Sequence, residues 1–193
     1  MISTKATDCE MRAYVANIVA AWRAATDDQM CRGRAWYGVA NQLAGMIGVG
    51  DVRKGAGIIA ALSANKRWEH NVTLAQRCAA GDVRGHVADA LAKVRAIMAG
   101  ADPADVLPMH AKTGHFFRCI ADPRDAGAIV IDRHAHDVAV GERYGDRDRG
   151  LSNRNRYATL ADAYRRAARE LGELPVTVQA VTWVRQVDLN AGQ

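Results

Sequence analysis

A chain of 193 residues with 49% hydrophobic and 24% charged side chains has the make-up of a globular protein able to bury a sizeable core. No apolar run reaches the roughly 20 residues that a membrane helix needs, and the opening MISTKATDCEMRAY lacks the charged-then-apolar layout of a signal peptide, so a cytoplasmic protein without membrane contact is expected. The net charge of +5 suits a nucleic-acid partner without requiring one.

Taken in chain order, Met11, Tyr14, Val15, Ile18 and Trp22 recur at three- and four-residue spacing, which predicts an amphipathic helix. Residues 30–47 and 51–63 also read as helical, softened by glycines. Val87, Leu91, Val94 and Met98 predict another helix, with Gly100 as its stop, and Asp102-Pro103 is a natural helix start. Residues 141–156, GERYGDRDRGLSNRNR, read as an exposed arginine-rich loop. Arginine's planar fork suits phosphate, and one or two of these side chains are candidates for that contact. Tyr157, Leu160, Tyr164 and Leu171 open the C-terminal helices of 157–188, with Gly172 between them. The last segment, PVTVQAVTWVRQV, alternates like a strand but also carries the helical stripe Val176, Ala180, Trp183, Val184 and Val187. Its length and its Pro175 start favour helix. Without βαβ alternation or a convincing hairpin, the expectation is a single all-α domain over residues 1–193.

Cys9, Cys31, Cys78 and Cys119 are too scattered for a zinc ribbon or an iron–sulfur loop and read as reduced core residues. The stretch AIVIDRHAHDVAVG, residues 128–141, concentrates titratable groups where an apolar run ends. Asp132 stands where an N-cap belongs, its carboxylate facing the free N–H groups of a following helix. That role accounts for Asp132 structurally, and it would also pre-orient the group for chemistry. His134 and His136 lie two apart, so on a helix they diverge and cannot share a metal ion.

Three stretches in order resemble the helix-hairpin-helix DNA glycosylase superfamily, the endonuclease-III-like fold. IIAALSANKRWEHNV (58–72) resembles the family's apolar helix ending in Leu-Ser-x-Gln, with Asn65 in the Gln position. VLPMHAKTGHFF (106–117) resembles the hairpin Leu-Pro-Gly-x-Gly-x-Lys-Thr-Ala, and VIDRHAHDVAV (130–140) resembles Val-Asp-x-His-x-x-Arg-Val. The likeness spans roughly residues 55–141. It implies an enzyme that flips a DNA base and acts near the N-glycosidic bond, with no metal or other cofactor and as a monomer. Asp132 would be the carboxylate facing positive charge on the sugar, and Lys112 either the Schiff-base nucleophile of a lyase or a phosphate ligand. Asn65, His110, Thr113, Arg133 and His134 would lie against substrate or DNA.

The resemblance has departures. Met109-His110-Ala111 replaces the hairpin glycines, with one residue fewer before the lysine; Asp137 replaces the arginine; and the iron–sulfur cysteines of many relatives are missing. A bacteriophage branch resembling this superfamily, linked to hypermodified thymines, implies an alternative: a transferase that joins an amine to an activated base and spares the sugar bond. A non-enzymatic DNA-binding module, with Asp132 only a cap, is a further alternative. A metal hydrolase built from His115, Asp132, His134 and His136 ranks below these, because the spacing supplies no compact ligand set. An aromatic wall beside Asp132, drawn from Phe116, Phe117, Trp68 or Tyr144, would favour the enzyme readings.

Overall fold

Apolar residues spaced three and four apart become helices throughout. The computed structural model describes residues 6–191, and among them it has ten helices and no strand. In chain order these are α1 (Asp8–Arg23), α2 (Asp27–Ile47), α3 (Val52–Ala61), α4 (Trp68–Ala79), α5 (Ala88–Met98), α6 (Pro103–Val106), α7 (Lys112–Ala121), α8 (Arg133–Val140), α9 (Arg154–Leu171) and α10 (Pro175–Ala191). The all-α expectation is met, and the ambiguous C-terminal segment is a helix. The chain divides into two units, one made of Met1–Trp36 with Arg124–Gln193 and the other of Tyr37–Pro123.

In the first unit α1 begins with a capping box, in which Thr7 and Glu10 each satisfy the other's backbone N–H. Ile18, Val19 and Trp22 from α1 bury against Leu160 and Tyr164 of α9, Val178 and Val181 of α10, and Ile129 and Ile131. The α9 start falls at Arg154, inside the expected loop, because the Asn153 side chain accepts from the N–H groups of Asn155 and Arg156. The arginine-rich loop therefore ends at residue 153. It is folded on itself: the Arg147 guanidinium lies 4.1 Å from the centre of the Tyr144 ring and donates to Glu142.

The second unit is centred on α3, whose residues from Gly55 to Ala61 are all buried. Helix α3 packs against α4, α5 and α7, and Ile58, Ile59, Leu62, Leu74, Ile97, Phe117 and Ile120 are buried in this unit. Helix α4 carries no clear apolar period, because its inner face is small and partly polar. Asn71 is buried there and donates to the Ile59 carbonyl at 3.1 Å, alongside Leu74, Ala75 and Cys78. At the unit's margin the Asn41 amide donates to the carbonyls of Ile120 (2.8 Å) and Ala121 (3.2 Å). Cys78 and Cys119 are buried as expected, while Cys9 and Cys31 are exposed.

Candidate functional site

The segment Ala128–Ile131 is an extended, fully enclosed piece of chain with no helix or sheet to satisfy its backbone. Tyr157 solves this: its hydroxyl donates to the Ile129 carbonyl (2.9 Å) and accepts from the Ile131 N–H (3.0 Å). Held in this way, the chain delivers Asp132 to the start of α8. One oxygen, Oδ1, accepts from the N–H groups of His134 (3.0 Å) and Ala135 (2.9 Å). The other, Oδ2, accepts from the indole N–H of Trp183 on α10 at 3.0 Å. Burial of residues 135–139 anchors α8, and Tyr164 donates to the Ala135 carbonyl.

Trp183 is itself braced. Gly33 of α2 lets that helix close on α10, since a Cβ there would stand 2.4 Å from Val181 Cα. Nearly one turn further on, Trp36 reaches Trp183, with ring centres 4.7 Å apart and planes inclined at 48°. His134 is half-buried and meets Trp183 edge-on at 6.3 Å. Its Nε2 accepts from Arg133 Nε (3.2 Å) and its Nδ1 lies 3.2 Å from the Asn190 amide. Burial, reinforced by the Arg133 charge, lowers its pKa despite Asp132 nearby, so the ring is held toward its neutral form. Asp132, Arg133 and His134 are thus brought together, with Arg133 exposed.

Directly behind lies a buried polar network. Asp137 takes a two-pronged contact from Arg149, with Nε and one terminal nitrogen each at 2.8 Å, and a bond from the Tyr144 N–H. Burial raises the Asp137 carboxyl, but Arg149, His136 and Tyr144 outweigh it and hold it below the usual range. His136 Nδ1 lies 2.8 Å from Asp137 Oδ1, and its Nε2 faces the buried Arg156 at 3.3 Å. A guanidinium only donates, so Nε2 carries the lone pair and Nδ1 the proton. Arg156 also donates to the Tyr14 hydroxyl, and its Nε is buried without a partner.

The remaining expected site residues belong to the other unit. Lys112 is exposed at the first position of α7, Thr113 is half-buried beside it, and His110 is exposed in the preceding turn. The turn is closed by Ala111 N–H donating to the Pro108 carbonyl (2.9 Å). Gly114 of α7 lets the helix close on this turn, since a Cβ there would stand 2.3 Å from Met109 Cα. Asn65 is exposed in the turn before α4 with φ 54°, a left-handed conformation that asparagine tolerates. Of the four aromatic candidates, Tyr144 packs on His136 at 4.6 Å, and Phe116, Phe117 and Trp68 lie in the second unit, where Phe116 meets Trp68 edge-on. Trp183, which bonds Asp132, and Trp36, which packs on Trp183, are not among the site residues that the sequence suggests. The stripe that makes α10 a helix reads Trp183 as core, and no local motif links it to a carboxylate 51 residues earlier.

Among the described residues no three His, Cys, Asp or Glu side chains gather as a metal-holding group, and no helix is long and apolar enough to cross a membrane. No curated protein and no solved structure matches the chain. One family profile, described as a family of unknown function (DUF7178), matches residues 1–189. Nearly the whole sequence is covered, and the chain belongs to that family.

Proposed function

We propose that the protein acts on a base of DNA in the manner of a glycosylase, with Asp132 as its central catalytic group. The observation that carries this reading is the state of that carboxylate. It is fixed through Oδ1 by two backbone N–H groups at a helix start and through Oδ2 by the Trp183 indole, yet remains half-exposed, and His134 two residues on is held toward neutrality. As the base–sugar bond breaks, its electron pair leaves with the base nitrogen and positive charge grows on the sugar. A fixed anion stabilises that charge and takes the proton of the attacking water. Within its own unit Arg133 is an exposed cation suited to a phosphate contact; for the second unit the resemblance implies phosphate contacts at Lys112, His110 and Thr113 and a role for Asn65 at the gap left by a flipped base. The resemblance across residues 58–72, 106–117 and 130–140 supports these roles.

A second reading, the transferase that joins an amine to an activated thymine, draws support from two features. Lys112 is exposed rather than enclosed in apolar surroundings within its unit, and the turn at 109–111 has no glycine.

The experiment compares wild type, Asp132→Asn and Lys112→Ala on a duplex with one abasic site under borohydride and on duplexes carrying damaged or 5-hydroxymethylated bases. Asparagine caps helices as well as aspartate does, so Asp132→Asn leaves stability within about 1 kcal/mol. Product formation should fall by at least roughly a hundredfold. A borohydride adduct lost in Lys112→Ala would make that lysine a nucleophile. DNA binding without product, unchanged in Asp132→Asn, would leave a binding module.

A further inference from the structure

An ionised carboxylate has about four in-plane acceptor sites. In Asp132 two are occupied on Oδ1 by the N–H groups of His134 and Ala135, and one on Oδ2 by the Trp183 indole. One lone pair on Oδ2 is left over. The donor that selects it is rigid, because Trp183 is clamped by Trp36, and Trp36 is brought there by the close α2–α10 crossing at Gly33. An indole N–H donates and never accepts, so it cannot take a proton from Asp132 or pass one on. It can only orient the group.

We propose that Trp183 is a positioning residue. Its N–H fixes the Asp132 carboxylate so that the single remaining lone pair on Oδ2 meets the reacting atoms. The inference rests on the reading that Asp132 does chemistry on DNA, and it adds a residue that neither the motifs nor the resemblance identifies. It also predicts an asymmetry within the site. Oδ1 is structural, Oδ2 is functional, and the two are assigned by different elements, α8 and α10.

Two measurements test it. In a 1H–15N spectrum the Trp183 indole cross-peak, identified by its loss in Trp183→Phe, is compared between wild type and Asp132→Asn. To keep the helix cap, the asparagine must leave its oxygen toward α8. That turns its NH2 group against the indole N–H, so the cross-peak should move upfield. Single-turnover rates of Trp183→Phe are measured in parallel. Phenylalanine keeps an aromatic ring at the position against Trp36 and removes the donor. The turnover rate should fall roughly tenfold to a hundredfold, with DNA affinity changed less than about twofold, since the loss is of orientation and not of contact.

An indole cross-peak indifferent to Asp132→Asn, or wild-type turnover in Trp183→Phe, overturns the proposal. So does a variant that loses affinity and rate in equal proportion. If Trp183→Phe does not fold, the cross-peak is instead assigned in Asp132→Asn through its contacts to the Trp36 ring and read there. A wild-type protein with no turnover on any duplex sinks the functional reading, and the positioning claim is then decided by the cross-peak alone.

Discussion

Asp137 places a carboxylate in the buried interior behind α8, and the structure shows how that charge is met. Asp137 is 8% exposed and its charge is met by Arg149, 14% exposed, arriving from the loop. Its neighbour His136 is fully buried, and its pKa is lowered by burial and by the Arg156 charge. His134 is shifted in the same direction. Both histidines therefore take up protons less readily in the folded chain than in the unfolded one, whose value is near 6.5. Stability should be full above about pH 6.5 and fall as pH drops through that value toward the lowered folded values. Urea midpoints at pH 7.5, 6.0 and 5.0 would show this, and His136→Gln should flatten the slope. A midpoint unchanged at pH 5.0 would mean that neither ring is held neutral. Protonated His136 would set an N–H against the Arg156 guanidinium, which already has one unpartnered nitrogen. Separately, Arg149→Met strands the Asp137 charge and should cost about 3 kcal/mol, read from the same midpoints.

Helices meet closely where glycine allows it. At Gly33 an added methyl would strike the Val181 backbone, so Gly33→Ala must push α2 off α10, costing on the order of 1–3 kcal/mol. It should also part Trp36 from Trp183, which a change in tryptophan emission would report. An unchanged spectrum would show that the helices do not meet as described. The elements themselves were largely legible, because their signals are local: apolar spacing for α1, α5 and α9, Asp102-Pro103 for α6, and Gly172 at the left-handed end of α9. Asp132 was legible as a cap for the same reason. What escaped was set by tertiary contact. Helix α4 turns an asparagine inward to a backbone carbonyl, which masks its period. Arg156, expected in a solvated loop, is 5% exposed because Tyr14 and His136 receive it. Trp183 became part of the candidate site only through a hydrogen bond across 51 positions.

For the whole molecule, the positive charge is less available than its total suggests. Arg32, Arg34, Arg53, Arg77, Arg149 and Arg166 are each in an ion pair with a carboxylate. On the proposed DNA-acting reading, affinity for DNA should therefore depend only mildly on salt, with a log–log slope of about −2 to −4 and not the steeper value of a protein contacting many phosphates. Titrations between low and physiological salt would decide, and a slope near −8 would show that these pairs open on binding. The connectivity has a further consequence, for the order in which the chain takes shape as it is made. The second unit is one unbroken stretch, whereas the first needs residues from both sides of it. Closing a slack loop of about 90 residues costs roughly 4 kcal/mol in chain entropy. The Asn41 amide, gripping the carbonyls of Ile120 and Ala121, ties the beginning of the inserted stretch to its end as that stretch folds. A nascent chain would thus complete the insert first, and in doing so shorten the search by which its flanks find one another. Pulsed hydrogen exchange during refolding should then protect α3 and α7 before α1 and α9, and simultaneous protection would show that the two units form as one.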